Sequence, residues 1–232
     1  MVKERFFSQR SELTATLAAE IAARLQAAVA RRGAASGVVT GGSTPAPLYD
    51  ALAQTDAPWA ETTLTLTDER WVATDSPASN EGLVRGRLLQ GHAASAKLVG
   101  LKTDAATPAQ ALAELEGALG ALPAPFDFVV LGMGGDAHMA SLFPEAAELS
   151  AAFDTAQPAR VMPIHREGAD GSPERISLTL RALLDTQVVI VLIDGDKKRE
   201  TYQRALKQQP SAAPIAAVLT QTDVPVEIWW AP

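Results

Sequence analysis

The stretch Gly132-Met133-Gly134-Gly135-Asp136-Ala137-His138 follows directly on the apolar run Phe126-Asp127-Phe128-Val129-Val130-Leu131. An Asp two residues before a His, carried on glycines, suits general acid–base chemistry: the imidazole moves a proton and the carboxylate orients it. Glycines let the backbone turn sharply and approach a ligand. The loop at the carboxyl end of a parallel strand is where open α/β sheets place their ligands. The chain has three histidines, and the other two, His92 and His165, have no evident partner in the sequence and read as surface or loop residues.

Other residue groups suit an anion. Gly41-Gly42-Ser43-Thr44-Pro45 sits between a short apolar run and a helical segment. Glycine and helix-terminal amides there make an anion site, and the Ser43 and Thr44 hydroxyls can add hydrogen bonds. The plain alternative is a βα turn with a Ser/Thr cap. Asp68-Glu69-Arg70 ends a Thr/Leu alternation. Arg70 can grip a phosphate or carboxylate in bidentate fashion, with Asp68 and Glu69 orienting it or meeting sugar hydroxyls. The alternative is a solvated charge cluster. Arg175 opens Arg175-Ile176-Ser177-Leu178, and Lys198 lies in the first turn of a helical segment after a buried run. A cation at a helix N-terminus is mildly unfavourable unless an anion binds there.

Other chemistries fit poorly. Gly132-Met133-Gly134-Gly135-Asp136-Ala137 formally matches G-x-G-x-x-[GA], but Pro144 interrupts the long helix that a dinucleotide site requires. The histidines lack zinc-ligand spacing. Ser141 is not flanked as G-x-S-x-G. There is no cysteine, which excludes disulfides, thiolate metal sites and cysteine nucleophiles.

The elements that must position these residues follow from periodicity. Leu13, Leu17, Ile21, Leu25 and Val29 form one stripe of a helix over 8–32, stopped by Gly33. Strands are predicted over 36–40, 62–67, 97–101, 126–131, 186–193 and 224–230, with extended segments over 160–164 and 175–180. Helices are predicted from Pro45 to about Ala53, from Ser79 or Asn80 to Leu89, over 108–119 and over 195–209. The Gly-, Asp- and Pro-rich stretch 165–173 reads as a loop, and Trp229-Trp230 as core or strand-edge packing. The alternation implies one α/β domain over 1–232, Rossmann-like, with a mostly parallel sheet flanked by helices.

Composition bounds the partners. The 232 residues are 47% hydrophobic, enough for a sizeable core, and the formal net charge of -7 argues against general nucleic-acid binding. The N-terminus lacks a signal-peptide core, and no stretch approaches the roughly 18 uncharged apolar residues of a membrane span. A cytoplasmic protein with no membrane partner, monomeric or a small homo-oligomer, is the expectation.

Together these segments resemble the 6-phosphogluconolactonases, within the wider sugar-phosphate superfamily that includes glucosamine-6-phosphate deaminase. The resemblance spans nearly the whole chain. It is carried by Gly41 to Pro45, by Asp68-Glu69-Arg70 with Ser79-Asn80, by Gly132 to Pro144, by Pro173 to Ser177, and by Gly195 to Lys198. Ser141-Leu142-Phe143-Pro144 is similar to the lactonase form of the loop rather than the deaminase form. The resemblance implies hydrolysis of 6-phosphoglucono-δ-lactone, with no cofactor and no metal. In that reading His138 is the general base, Asp136 orients it, and the amides of Gly134 or Gly135 meet the oxyanion. Ser43, Thr44, Arg175 and Lys198 hold the phosphate beside Gly42, and Arg70 with Asp68 lines the sugar side. A deaminase or isomerase with Glu145 assisting, a non-catalytic sugar-phosphate sensor and a nicotinamide oxidoreductase are the alternatives. Ala137 departs from the glycine usual in the family, and is strained if its φ is positive.

Overall fold

Residues 2–232 are described in a computed structural model. The apolar runs over 128–131 and 189–193 lie side by side at the centre of a sheet whose carboxyl edge carries the residues singled out above. In chain order the elements are β1 (Val2–Phe6), α1 (Arg10–Arg32), β2 (Ala35–Val39), α2 (Ala46–Ala53), β3 (Thr62–Leu66), β4 (Asp68–Arg70), α3 (Asn80–Arg87), β5 (Lys97–Val99) and α4 (Leu112–Gly120). They continue with β6 (Phe128–Leu131), α5 (Leu149–Phe153), β7 (Val161–His165), β8 (Glu174–Leu178), α6 (Leu180–Leu184), β9 (Val189–Asp194), α7 (Gly195–Ala205), α8 (Ala216–Thr220) and β10 (Val226–Ala231).

The large sheet has the order β1-β10-β9-β6-β2-β3-β5, and every neighbouring pair is parallel. β4, β8 and β7 form a separate antiparallel sheet. From β2 the chain moves outward to β3, and from β6 it moves the other way to β9 and β10. The order therefore reverses between β2 and β6, and the crevice beyond their carboxyl ends is a topological switch point. β6 and β9 are buried on both faces, as continuous apolar strands of a parallel sheet should be.

The α1 stripe is buried as its spacing predicts: Leu13, Leu17, Ile21 and Leu25 face the core, and Gly33 closes the helix in the left-handed region at φ 75, its N–H on the Val29 carbonyl at 2.8 Å. At 23 residues α1 is, contrary to expectation, long and apolar enough to cross a membrane on length and composition alone. Its leucines pack against α2, β2 and β10 instead.

Some elements differ from the sequence reading. β1 was unforeseen because Lys3, Glu4 and Arg5 break its pattern; it is an edge strand whose register comes from β10. Asp68–Arg70, read as the charged end of the preceding strand, is a strand of its own, β4, paired antiparallel with β8. The first turn of the helix at 108 is 3-10, giving way to α4 at Leu112, and α7 ends at Ala205 rather than Gln209. The short α5, α6 and α8 are too brief to show periodicity. His165, read as unpartnered, ends β7 opposite Glu174, with Nδ1 2.7 Å from the Glu174 carboxylate.

Candidate active site

Gly42, Ser43, Thr44, Asp68, Arg70, Gly134, His138, Arg175 and Lys198 all line one cleft of about 350 Å³ at the switch point. That volume suits a small molecule. Gly42, in the loop after β2, has φ 94, a conformation that admits glycine. The loop runs into α2 with Pro45 at its N-cap.

The Asp136–His138 pair sits on the loop after β6. His138 Nδ1 lies 2.6 Å from Asp136 Oδ1, which also accepts the His138 backbone N–H at 3.1 Å. The bond from the ring holds the Asp136 carboxyl down at about 2, below its ordinary 3.8. In a neutral imidazole, an ionised Asp136 favours the tautomer with the proton on Nδ1 and Nε2 as the acceptor. The imidazole leans on the Phe143 ring, centroids 4.7 Å apart, and the Arg175 and Arg166 guanidiniums lie 5.4 and 5.7 Å from the same ring. Gly134 runs beneath the pair, where any side chain would collide with the His138 ring and the Asp136 carboxylate. Ala137 has φ 68 and is buried, so the strain expected of a non-glycine residue with positive φ is present.

The glycine amides differ from the sequence reading. Gly134 lines the cleft, but its N–H is engaged by the His138 carbonyl at 3.0 Å. Gly135 is exposed and outside the lining, with its carbonyl accepting from Thr201 Oγ1 at 3.3 Å.

Asp68 is buried in the cleft floor. Its carboxylate accepts from Thr67 Oγ1 at 2.8 Å and from Ser141 Oγ at 2.6 Å. Ser141, dismissed as a nucleophile, thus joins the site by tying the β6 loop to β4, and it also accepts from Arg175 Nη1 at 3.3 Å. Arg175 is 4% exposed; its Nε donates to the Ser172 carbonyl at 3.1 Å and its Nη2 to that of Asp170. Burial pulls its pKa down, with the nearby Asp68 opposing. Much of this guanidinium therefore straps the β7–β8 connection, which brings Asp170 to the cleft wall.

Glu69 faces away from the cleft and has a structural role. Fully buried, it accepts from the backbone N–H groups of Arg70, Asn80 and Glu81 and from Ser79 Oγ, joining β4 to the start of α3. Burial pushes its carboxyl upward, and these donors pull it back. Asn80, so anchored, lines the cleft and accepts from Arg70 Nη1 at 3.1 Å; Arg70 Nη1 also donates to the Ala78 carbonyl at 2.7 Å.

At the far side Lys198 Nζ donates to Thr44 Oγ1 at 3.0 Å, and Thr44 Oγ1 donates to Asp194 Oδ1 at 2.8 Å. The Thr44 hydroxyl proton is therefore directed at a carboxylate rather than at the cleft. Thr40, Asn80, Ala140 and Asp170 complete the wall without having been singled out. Asn80 and Ala140 lie in segments that carry the family resemblance, but neither was given a site role there. Glu145, at φ 59, is not in the lining.

Residues 8–230 match the family model described as glucosamine-6-phosphate isomerases/6-phosphogluconolactonase. The chain is 41% identical over 226 residues to the 6-phosphogluconolactonase of Mesorhizobium japonicum, covering 97% of this chain and 94% of that protein. It is 38% identical over 232 residues to that of Caulobacter vibrioides, covering 99% and 97%. The crystal structure of a 6-phosphogluconolactonase from Shewanella baltica OS155 superposes with a TM-score of 0.96 at 39% identity, covering 100% of this chain and 98% of that one.

Proposed function

Since the chain belongs to the glucosamine-6-phosphate isomerase/6-phosphogluconolactonase family, we propose that it hydrolyses 6-phospho-D-glucono-1,5-lactone to 6-phospho-D-gluconate, as the lactonase step of the oxidative pentose phosphate pathway in the cytoplasm. The observation that carries this reading is that His138, held by Asp136, lines the same cleft as Thr44 and Lys198. A proton acceptor and a phosphate grip at two sides of one small cavity are what a phosphorylated lactone needs.

The chemistry is modest because the lactone carbonyl is already electrophilic. Nε2 of His138 takes a proton from water as the oxygen attacks C1. The C1–ring oxygen bond then breaks, and the imidazolium returns its proton to the departing ring oxygen. Asp136 holds the ring and stabilises its charged form. Lys198 and Arg175, with Ser43 and the backbone N–H groups of Gly42 and Thr44, bind the phosphate, and Asp68 with Arg70 lines the sugar side. Gripping the remote phosphate aligns the carbonyl. The test is pH-stat hydrolysis of freshly generated 6-phosphogluconolactone, corrected for spontaneous opening. Enzyme-dependent acid release supports the reading, and rates equal to the uncatalysed opening refute it.

A further inference from the structure

We propose that Asp194 is a positioning residue for the substrate phosphate: from behind the cleft it orients the Lys198 ammonium through the Thr44 hydroxyl. The proposal rests on the cleft being a sugar-phosphate site.

Asp194 ends β9 and occupies the N-cap of α7 with extended backbone, φ -135 and ψ 149. From that position an Asp ordinarily accepts a backbone N–H of the first helical turn. Here its side chain makes no capping bond. It turns the other way, accepting from Thr44 Oγ1 at 2.8 Å through Oδ1, which also lies 3.6 Å from Lys198 Nζ. Oδ2 pairs with Arg10 Nη1 at 2.9 Å. Arg10 is itself fixed, its Nε on the Pro232 carbonyl at 2.9 Å.

The proton count gives each group one role. A hydroxyl has a single proton, and that of Thr44 goes to Asp194, so its oxygen is free to accept from Lys198. Thr44 is thus a relay between carboxylate and ammonium. Lys198 has donors to spare, and it lines the cleft with Thr44. Asp194 does not line it; it lines a small neighbouring recess of about 50 Å³ with Arg10 and Ala231. The Arg10 guanidinium on its far oxygen offsets the negative charge that would otherwise weaken the pull of Lys198 on a phosphate. Without this chain Lys198 is a point charge on a flexible four-carbon stem.

The experiment compares Asp194→Ala, Asp194→Asn, Thr44→Val and Lys198→Ala on 6-phosphogluconolactone and on unphosphorylated δ-gluconolactone. Asp194→Ala is expected to raise KM for the phosphorylated lactone about tenfold with kcat nearly unchanged, and to lower the preference for it over the plain lactone by about the same factor. Asp194→Asn keeps an acceptor for Thr44 and should recover most of the loss. Thr44→Val should reproduce the Asp194→Ala defect, and the double variant should be no worse than either, since both cut one chain. A parallel loss on both lactones makes Asp194 merely structural and overturns the proposal, as does additivity in the double variant. If Asp194→Ala does not fold, the Thr44→Val and Asp194→Asn arms decide alone. A raised KM in Lys198→Ala with none in Asp194→Ala or Thr44→Val overturns this proposal only. An unmoved KM in Lys198→Ala removes the phosphate assignment, and this proposal with it.

Discussion

Replacing Glu69 by Gln tests whether the charged segment after β3 is architecture or surface. The side chain is fully buried. Oε1 accepts the N–H of Arg70 at 2.7 Å and of Asn80 at 2.8 Å, while Oε2 accepts the N–H of Glu81 at 2.7 Å and Ser79 Oγ at 3.0 Å. Gln has the same shape but one acceptor oxygen. If its NH2 takes the place of Oε1, two backbone N–H groups face a donor. If it takes the place of Oε2, the Ser79 hydroxyl can rotate, but the Glu81 N–H is stranded. The cheaper arrangement thus leaves one buried donor unsatisfied, at a cost of about 1–3 kcal/mol. For a chain of this size that lowers Tm by about 2–12 °C. Thermal unfolding followed by circular dichroism, with urea unfolding as the second measure, reads it directly. A solvated charge cluster would shift stability by no more than about 0.5 kcal/mol. A Glu69→Gln protein melting within about 1 °C of the parent would therefore refute the reasoning.

Four more outcomes are expected. His138→Ala should lower kcat by about 10²–10⁴-fold with KM little changed, by steady-state lactone hydrolysis; near-normal kcat removes the residue from the mechanism. Lys198→Ala should raise KM and spare kcat, because a phosphate contact present in ground and transition state is uniform binding. Ala137→Gly should be nearly neutral in urea unfolding: relief of the left-handed conformation at φ 68, worth about 1–2 kcal/mol, is offset by a lost buried methyl worth about 0.8 and the added freedom of the unfolded glycine. His165 should titrate above its ordinary 6.5 in NMR, chiefly because the Glu174 carboxylate at 2.7 Å favours the imidazolium, and Glu174→Gln should bring it back down. The sign follows: a histidine raised by folding adds stability that is complete below pH 6.5 and fades as pH climbs through the raised value.

What the sequence made legible was local. The Asp136–His138 spacing, the glycines before it, the α1 stripe and the apolar runs of β6 and β9 are short-range patterns, and each reads without knowing the fold. What it hid was long-range. β4 is a strand because Asp68 to Arg70 meet Ser177 to Arg175 across the chain, a pairing its charged residues do not announce. Glu69 is buried because α3 begins above it. Ser141 enters the site through Asp68, far away in sequence, and Arg175 divides its donors between the cleft and its own hairpin. Asp194 lay in an apolar strand with no sign that its side chain would leave the helix it precedes.

The loop after β6 shows why the pair could be found while its aim could not. Ala137, Ala140 and Glu145 all have positive φ, an unfavourable conformation for side chains larger than glycine, and such strain persists only where the surroundings over-determine the backbone. Here they do. Met139 and Leu142 are fully buried and bridge one another, the Ala137 carbonyl accepts from Ile215 N at 3.1 Å, and the Ser141 N–H reaches Ser177 Oγ at 3.3 Å. The core-facing residues fix the loop, and the strained ones between them turn His138 and Ala140 to the cleft. A general base works only within hydrogen-bond reach of the proton it removes. The direction of His138, on which the proposed proton transfer depends, is therefore set by Met139, Leu142 and Ser141.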